Sequence, residues 1–563
     1  MQRLSLIATA LLLAACSTQD PQSQVASERS HAPEADAGAT APRRAPAPKP
    51  ANPASADALM ESMPVAKAQL MRSAPGIQPA PVLSPPVDRE RYQAQEDNPV
   101  KQVASAPVST FSIDVDTGSW SNARRFLNEG RLPPVDAVRV EEFINYFPYA
   151  YAGPSGEHPF AVGTEVARSP WQTGNLILRV AIKGQDLAKA ELPPANLVFL
   201  VDVSGSMGSQ NKLPLLKSSL KLLARQMRPQ DRIALVTYAG QAGVVLPATP
   251  GDQTDTILAA IDQLGAGGST AGASGIELAY RTARTGFITG GINRILLATD
   301  GDFNVGTTDF RQLKQMVERE RVSGVALSTL GFGTGNFNDQ LMEQLADAGD
   351  GAYSYVDTLM EGHKVLVGEM TSTLATIARD VKIQVEFNPA TVREYRLIGY
   401  ENRQLRREDF NNDKVDAGDI GAGHTVTALY ELTPVDAPGL IDPLRYGAAP
   451  RSANPRADEL AHVRLRYKHP GADRSVLIEQ PVQRTAVREL ASTDADFRFA
   501  TAIAGFGQLL RGGRYTGQWQ VADARALAAG AVGEDRFGYR GEALRLMDLA
   551  GALRPDRPEA RLE

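Results

Sequence analysis

Residues 197 to 206 read Leu-Val-Phe-Leu-Val-Asp-Val-Ser-Gly-Ser. An unbroken apolar run stops at a carboxylate and two hydroxyls on alternate positions, Asp202, Ser204 and Ser206. This is the pattern of a buried strand whose end opens into a metal site. Asp, Ser and Thr present only hard oxygen ligands, which suit Mg²⁺, Ca²⁺ or Mn²⁺ and suit zinc or copper poorly. Two later fragments extend the set: Thr270 in Gly267-Gly268-Ser269-Thr270, and Asp300 closing the apolar run Ile295-Leu296-Leu297-Ala298-Thr299-Asp300.

Asp-x-Ser-x-Ser followed by a Thr and then an Asp resembles the metal-ion-dependent adhesion site of von Willebrand factor type A domains, and all five positions are matched in order. The resemblance implies that Ser204, Ser206 and Thr270 touch the ion through their hydroxyls. Asp202 and Asp300 then hold it mostly through water and orient the hydroxyls. Mg²⁺ takes about six oxygens and keeps waters when the protein supplies few. In that family the open position is filled by a Glu or Asp carboxylate of a protein partner.

At 563 residues the chain is too long for one core, so several domains are expected. Its 59 Lys and Arg against 65 Asp and Glu leave a net charge of -6, with no basic stripe, so no nucleic-acid partner is expected. None of the six His lies at metal-ligand spacing from another His or a Cys, which argues against zinc. The one cysteine, Cys16, follows a basic start at Met1 to Arg3, an apolar stretch from Leu4 to Leu13 and the small residues Ala14-Ala15. This resembles the bacterial lipobox, whose Cys becomes the acylated first residue. Ser17 after it, in place of Asp, points by the same resemblance to the outer membrane, the periplasmic or surface face being left open.

Six segments follow from the pattern. Residues 1–16 read as a signal peptide. Residues 17–106, rich in Ala, Pro, Ser and Gln, read as a disordered tether of about 90 residues, reaching roughly 50 Å as a flexible coil. Residues 107–194 hold an alternating strand at Phe111, Ile113 and Val115, a helix from Ser119 to Asn128, a second helix face at Val140, Phe143, Ile144 and Phe147, and strands near 160–166 and 176–182. Residues 195–380 alternate apolar strands (198–201, 233–238, 295–299, 325–331) with helices, the first striped by Leu213, Leu216, Leu220, Leu223 and Met227. Such alternation means α/β: a doubly wound, mainly parallel sheet with ligands beyond the carboxyl ends of its strands. A last helix of this unit carries Val367, Met370, Leu374 and Ile377 on one face. Residues 381–490 alternate strictly, as at Val381, Ile383, Val385 and Phe387, and read as an antiparallel β-sandwich that follows the α/β unit or, with the strands at 160–182 joining it, holds that unit as an insertion. Residues 491–563 read as a helical tail, with Phe497, Ala500, Ala504 and Leu510 on one side. The whole order resembles that of bacterial lipoproteins of the von Willebrand type A family.

Three motifs invite other readings. Asp116-Thr117-Gly118-Ser119 copies the aspartic-protease signature, but that chemistry needs two such aspartates sharing a proton and the chain has one Asp-Thr-Gly. Asp409 to Ile420 is spaced like an EF-hand but places Lys414 where Gly is needed and Ile420 where Glu is needed. Gly331-Phe-Gly333-Thr-Gly335 comes too late in the unit for a dinucleotide loop.

The expectation is therefore a non-enzymatic binding protein anchored through Cys16, taking a protein partner through an acidic residue with Mg²⁺, or Mn²⁺ or Ca²⁺, and no small-molecule substrate. An envelope scaffold whose metal only braces loops is the alternative; a hydrolase is the weakest reading.

Overall fold

The computed structural model describes residues 89–268, 272–301, 310–442, 456 and 458–554. Cys16 lies outside them, as do the signal peptide and the tether up to residue 88.

The strand Ala195–Asp202 is buried at every position and stands at the centre of a six-stranded sheet. On one side it pairs in parallel with Ile292–Thr299, then Ala326–Phe332 and Tyr353–Val356. On the other it pairs in parallel with Arg232–Tyr238, to which the edge strand Ala242–Pro250 is antiparallel. Successive side chains point to opposite faces. Leu197, Phe199 and Val201 join one core with the helices Leu213–Ala224 and Thr254–Gln263. Val198 and Leu200 join another with Gly272–Thr285, Phe310–Arg321 and Asp339–Ala348. The expected α/β unit, doubly wound about a mainly parallel sheet, is thus realised. Each buried Leu, Val or Phe contributes about 1.5–3 kcal/mol, so a strand sheltered on both faces is a rigid base for whatever its end carries.

The sandwich is built from both sides of this unit. The hairpin Phe160–Arg168 and Leu176–Gly184, which precedes it, pairs through Leu176–Gly184 with Thr425–Pro434, which follows it. Val392–Ile398, Lys101–Gln102 and Val487–Arg488 complete that six-stranded sheet. The facing sheet contains Gly418–Gly421, Thr376–Phe387, Glu459–Lys468 and Val476–Gln483, and Val108–Ser112 pairs with Thr376–Phe387. Phe111, Val180, Ile383, Tyr430 and Leu465 share one core between the sheets. Of the two arrangements expected, the α/β unit is therefore an insertion within the sandwich. On the outer face of the six-stranded sheet, Gly118–Asn128 and Val140–Asn145 pack with Ala495–Leu510, Val521–Ala529 and Tyr539–Leu553. There Trp120, Phe143, Phe147 and Phe506 join Ile177 and Leu429 in a single core.

Four expectations need correction. The tether was read as continuing to residue 106, but Arg89 and Arg91 N–H groups donate to Gly335 and Phe337 carbonyls (2.8 and 2.9 Å), and Lys101–Gln102 pairs with Tyr395 and Glu394. These are edge pairings made by backbone, which leave no apolar periodicity to read. The strand assigned from Val381 begins at Thr376. A register shift between Arg379 and Lys382, with Asp380 at φ +52°, breaks the alternation just before Val381. The single helix drawn through Val367 and Ile377 is three pieces, Leu359–His363, a π-helical Lys364–Gly368 and Met370–Leu374, and Ile377 lies in the strand. The tail helix Ala495–Leu510 is buried almost all round instead of on one side, because it lies between the sheet and the other helices.

Candidate metal centre

The carboxyl ends of Ala195–Asp202 and Ile292–Thr299 lie side by side, with Val201 opposite Ala298. From the first strand the chain runs on to Arg232–Tyr238 on one side, and from Ile292–Thr299 it runs on to Ala326–Phe332 on the other, so the two ends flank a topological switch point, where crevices form in open α/β sheets. Asp202 and Asp300 are fully buried there, Ser204 is nearly so, and Ser206 reaches solvent.

Asp202 is held by three donors. The Ser204 N–H donates to Oδ1 (2.9 Å), and the Thr299 and Tyr238 hydroxyls donate to Oδ2 (2.9 and 3.3 Å). Burial pushes its carboxyl above the usual range, the hydrogen bonds from Ser204 and Thr299 pull it back, and the nearby Asp300 adds to the rise. The Ser204 and Ser206 hydroxyl oxygens stand 3.0 Å apart, converging on one point at the mouth. Thr270 lies outside the described residues. Its loop is fastened to the site just before it: Gly267 N–H donates to the Val203 carbonyl (2.7 Å), and Gly205 N–H to the Gly268 carbonyl (3.1 Å). Gly268, at φ +88°, makes that turn.

Asp300 carries a partner that the sequence reading missed. Lys212 Nζ donates to Asp300 Oδ2 and to Asn336 Oδ1, both at 2.9 Å, and Asn336 Nδ2 donates to the same Asp300 oxygen (3.1 Å). Asn336 belongs to the glycine-rich turn after Ala326–Phe332, and that turn is also what Arg89 and Arg91 strap down. Lys212 could have been found: it precedes Leu216 and Leu220 by four and eight residues and so continues their buried helical stripe inward. Tyr238, Thr299 and Asn336 carried no such signal, since each is a polar residue at the end of a strand or in a turn.

The donors described fit a hard divalent ion. Two hydroxyls at the mouth and two carboxylates buried behind them are all hard oxygens.

The other motifs resolve into structure. Asp116 is buried, accepts the Tyr353 N–H (2.7 Å) and pairs with Arg403 (3.2 Å), so it is a joint between segments. Asp409 to Ile420 forms a short 3₁₀ turn, Arg407–Asn411, and the strand Gly418–Gly421.

Comparison with known proteins accords with this architecture. Residues 196–366 match the model of the von Willebrand factor type A domain, residues 86–179 a model described as von Willebrand factor, and residues 372–553 that of the C-terminal region of "Uncharacterized protein YfbK". The protein of that name from Escherichia coli (strain K12) is 51% identical over 471 residues, covering 82% of this chain and 81% of its own. The chain belongs to the YfbK family. The chain is also similar to inter-alpha-trypsin inhibitor heavy chain H4 of Homo sapiens, 31% identical over 150 residues, 25% of this chain and 16% of that protein. Among solved structures, von Willebrand factor type A from Catenulispora acidiphila covers 70% of this chain and 91% of its own at 16% identity and a TM-score of 0.38. Within this YfbK-family chain, the type A domain supplies the candidate site and the flanking segments supply the sandwich in which that domain is inserted.

Proposed function

We propose that this chain is a divalent-cation-dependent binding protein of the bacterial envelope, which captures a protein partner through a Glu or Asp carboxylate. The observation that carries the reading is the pair of Ser204 and Ser206 hydroxyls, 3.0 Å apart at the carboxyl edge of the central strand, with Asp202 fixed behind them. Mg²⁺, or Mn²⁺ or Ca²⁺, would be held directly by Ser204, Ser206 and Thr270 and through water by Asp202 and Asp300. With few carboxylates touching it, the ion stays electrophilic, and a partner carboxylate gains strongly by completing its shell.

The lipobox around Cys16 supports attachment to the outer membrane. Among the described residues no helix is long and apolar enough to cross a bilayer, so in this reading the lipid is the anchor and Cys16→Ser releases the protein from pelleted membranes. The deciding experiment is capture from envelope extract with and without chelator. This reading expects a partner retained with Mg²⁺ and lost with chelator. Capture unaffected by chelator would favour the second reading, an envelope scaffold. That alternative draws on the buried ion pairs by which Arg124 and Arg139 bind the type A domain to its flanks.

A further inference from the structure

Lys212 places an ammonium where a metal site has most reason to exclude one. Its side chain is 7% exposed, and its Nζ rests on Asp300 and Asn336, each at 2.9 Å. The seat is built for it. Gly333 stands at φ +79°, and a Cβ there would come within 2.1 Å of the lysine Cε, so only glycine leaves room for the aliphatic stem. An ammonium has three donors and no acceptor. It cannot ligate a cation, yet it is held on a carboxylate that the preceding reading assigns to one.

We infer that Lys212 is a fixed counter-charge that makes cation binding and carboxylate binding at this site depend on each other. The inference rests on the metal reading above. Among the described residues, two buried carboxylates, Asp202 and Asp300, and one buried ammonium give the site a single negative formal charge. A divalent ion turns it to a single positive one. In a buried setting such a charge is costly unless matched, and one partner carboxylate cancels it. Lys212 therefore weakens the empty site for the cation and strengthens the loaded site for an anion. Without Lys212 the loaded pocket is already neutral and has no charge left for a partner to satisfy. Because linkage is reciprocal, the factor by which a carboxylate tightens the cation equals the factor by which the cation tightens the carboxylate.

The test is calorimetric titration of Mg²⁺ into the full chain in chloride, and again with acetate replacing chloride at equal ionic strength. In the wild-type protein acetate should tighten Mg²⁺ about fivefold or more. Lys212→Met should bind Mg²⁺ at least about tenfold more tightly in chloride and lose the acetate dependence. Lys212→Gln, which can still donate to Asp300 but carries no charge, should follow Lys212→Met and guards against a folding defect in the first variant. If both variants keep wild-type affinity and wild-type acetate dependence, Lys212 is only a structural ion pair and the inference falls. If neither the wild type nor the variants bind Mg²⁺, the metal reading falls first and takes this one with it.

Discussion

His424 lies at the cleft where the π-helical Lys364–Gly368, the turn before Thr425–Pro434 and the Phe537 to Tyr539 segment meet, and its buried Nδ1 has no hydrogen-bond partner among the described residues. Burial, with Lys364 and Lys183 nearby, lowers its pKa to about 4 from the ordinary 6.5. The folded chain thus refuses a proton that the unfolded chain accepts. Stability from this group is fully present above pH 6.5 and is lost as pH falls toward 4. His424→Gln should flatten that acid limb, removing roughly 2 kcal/mol of the wild-type loss between pH 7 and pH 5, as read from urea unfolding at both values. Equal losses in the two proteins would contradict the assignment. At this scale the sequence was informative where chemistry interrupts a pattern. Asp202, Ser204, Ser206 and Asp300 stand out because each follows an apolar run. Tyr238 and Thr299 do not, because a polar residue closing a strand looks the same whether it orients a carboxylate or faces water.

Among the elements, Thr376–Phe387 is the strand on which the second sheet turns, flanked by Glu459–Lys468 and by Val108–Ser112. Ile383 sits opposite both Leu465 and Phe111 and is 1% exposed, whereas Glu386 on the same strand is exposed. Ile383→Ala should cost about 2–5 kcal/mol through lost burial and the cavity left, and Glu386→Ala less than about 0.5 kcal/mol. Chemical denaturation of the two variants checks the contrast, and equal costs would mean that the strand is not sheltered as described. Strands with uninterrupted alternation or continuous apolar runs were legible nearly to their ends. Legibility failed at the bulge near Asp380, at the π-helical turn and at the edge pairings of Arg89 to Gln102, because backbone hydrogen bonding shapes all three without imposing a side-chain period.

For the molecule as a whole, the described residues fall within one compact unit, and buried charge helps bind its parts. Arg124, on Gly118–Asn128, pairs with Asp357 and with Glu361 (2.8 Å) of the type A domain and with Glu542 (3.1 Å) of the tail, while its guanidinium also donates to the Tyr146 hydroxyl (2.9 Å). Arg124→Ala strands two buried carboxylates and should cost about 3–5 kcal/mol. Scanning calorimetry should show one transition in the wild type and a lower, split one in the variant; an unchanged single transition would mean that the pairing does not join the domains. The insertion was legible in outline, because the alternating strands at 160–182 are too few to form a sheet alone and are expected to join the later sandwich; the exact partners, Leu176–Gly184 against Thr425–Pro434 and Val108–Ser112 against Thr376–Phe387, carry no side-chain signal of their own. The claim on which the functional account depends is that this frame holds a divalent ion at the end of its central strand. Calorimetric titration of Mg²⁺ into the wild type and into Asp202→Ala, with circular dichroism to confirm the fold, tests it most directly. The account predicts saturable binding by the wild type and none by the folded variant; equal affinity in both would contradict it.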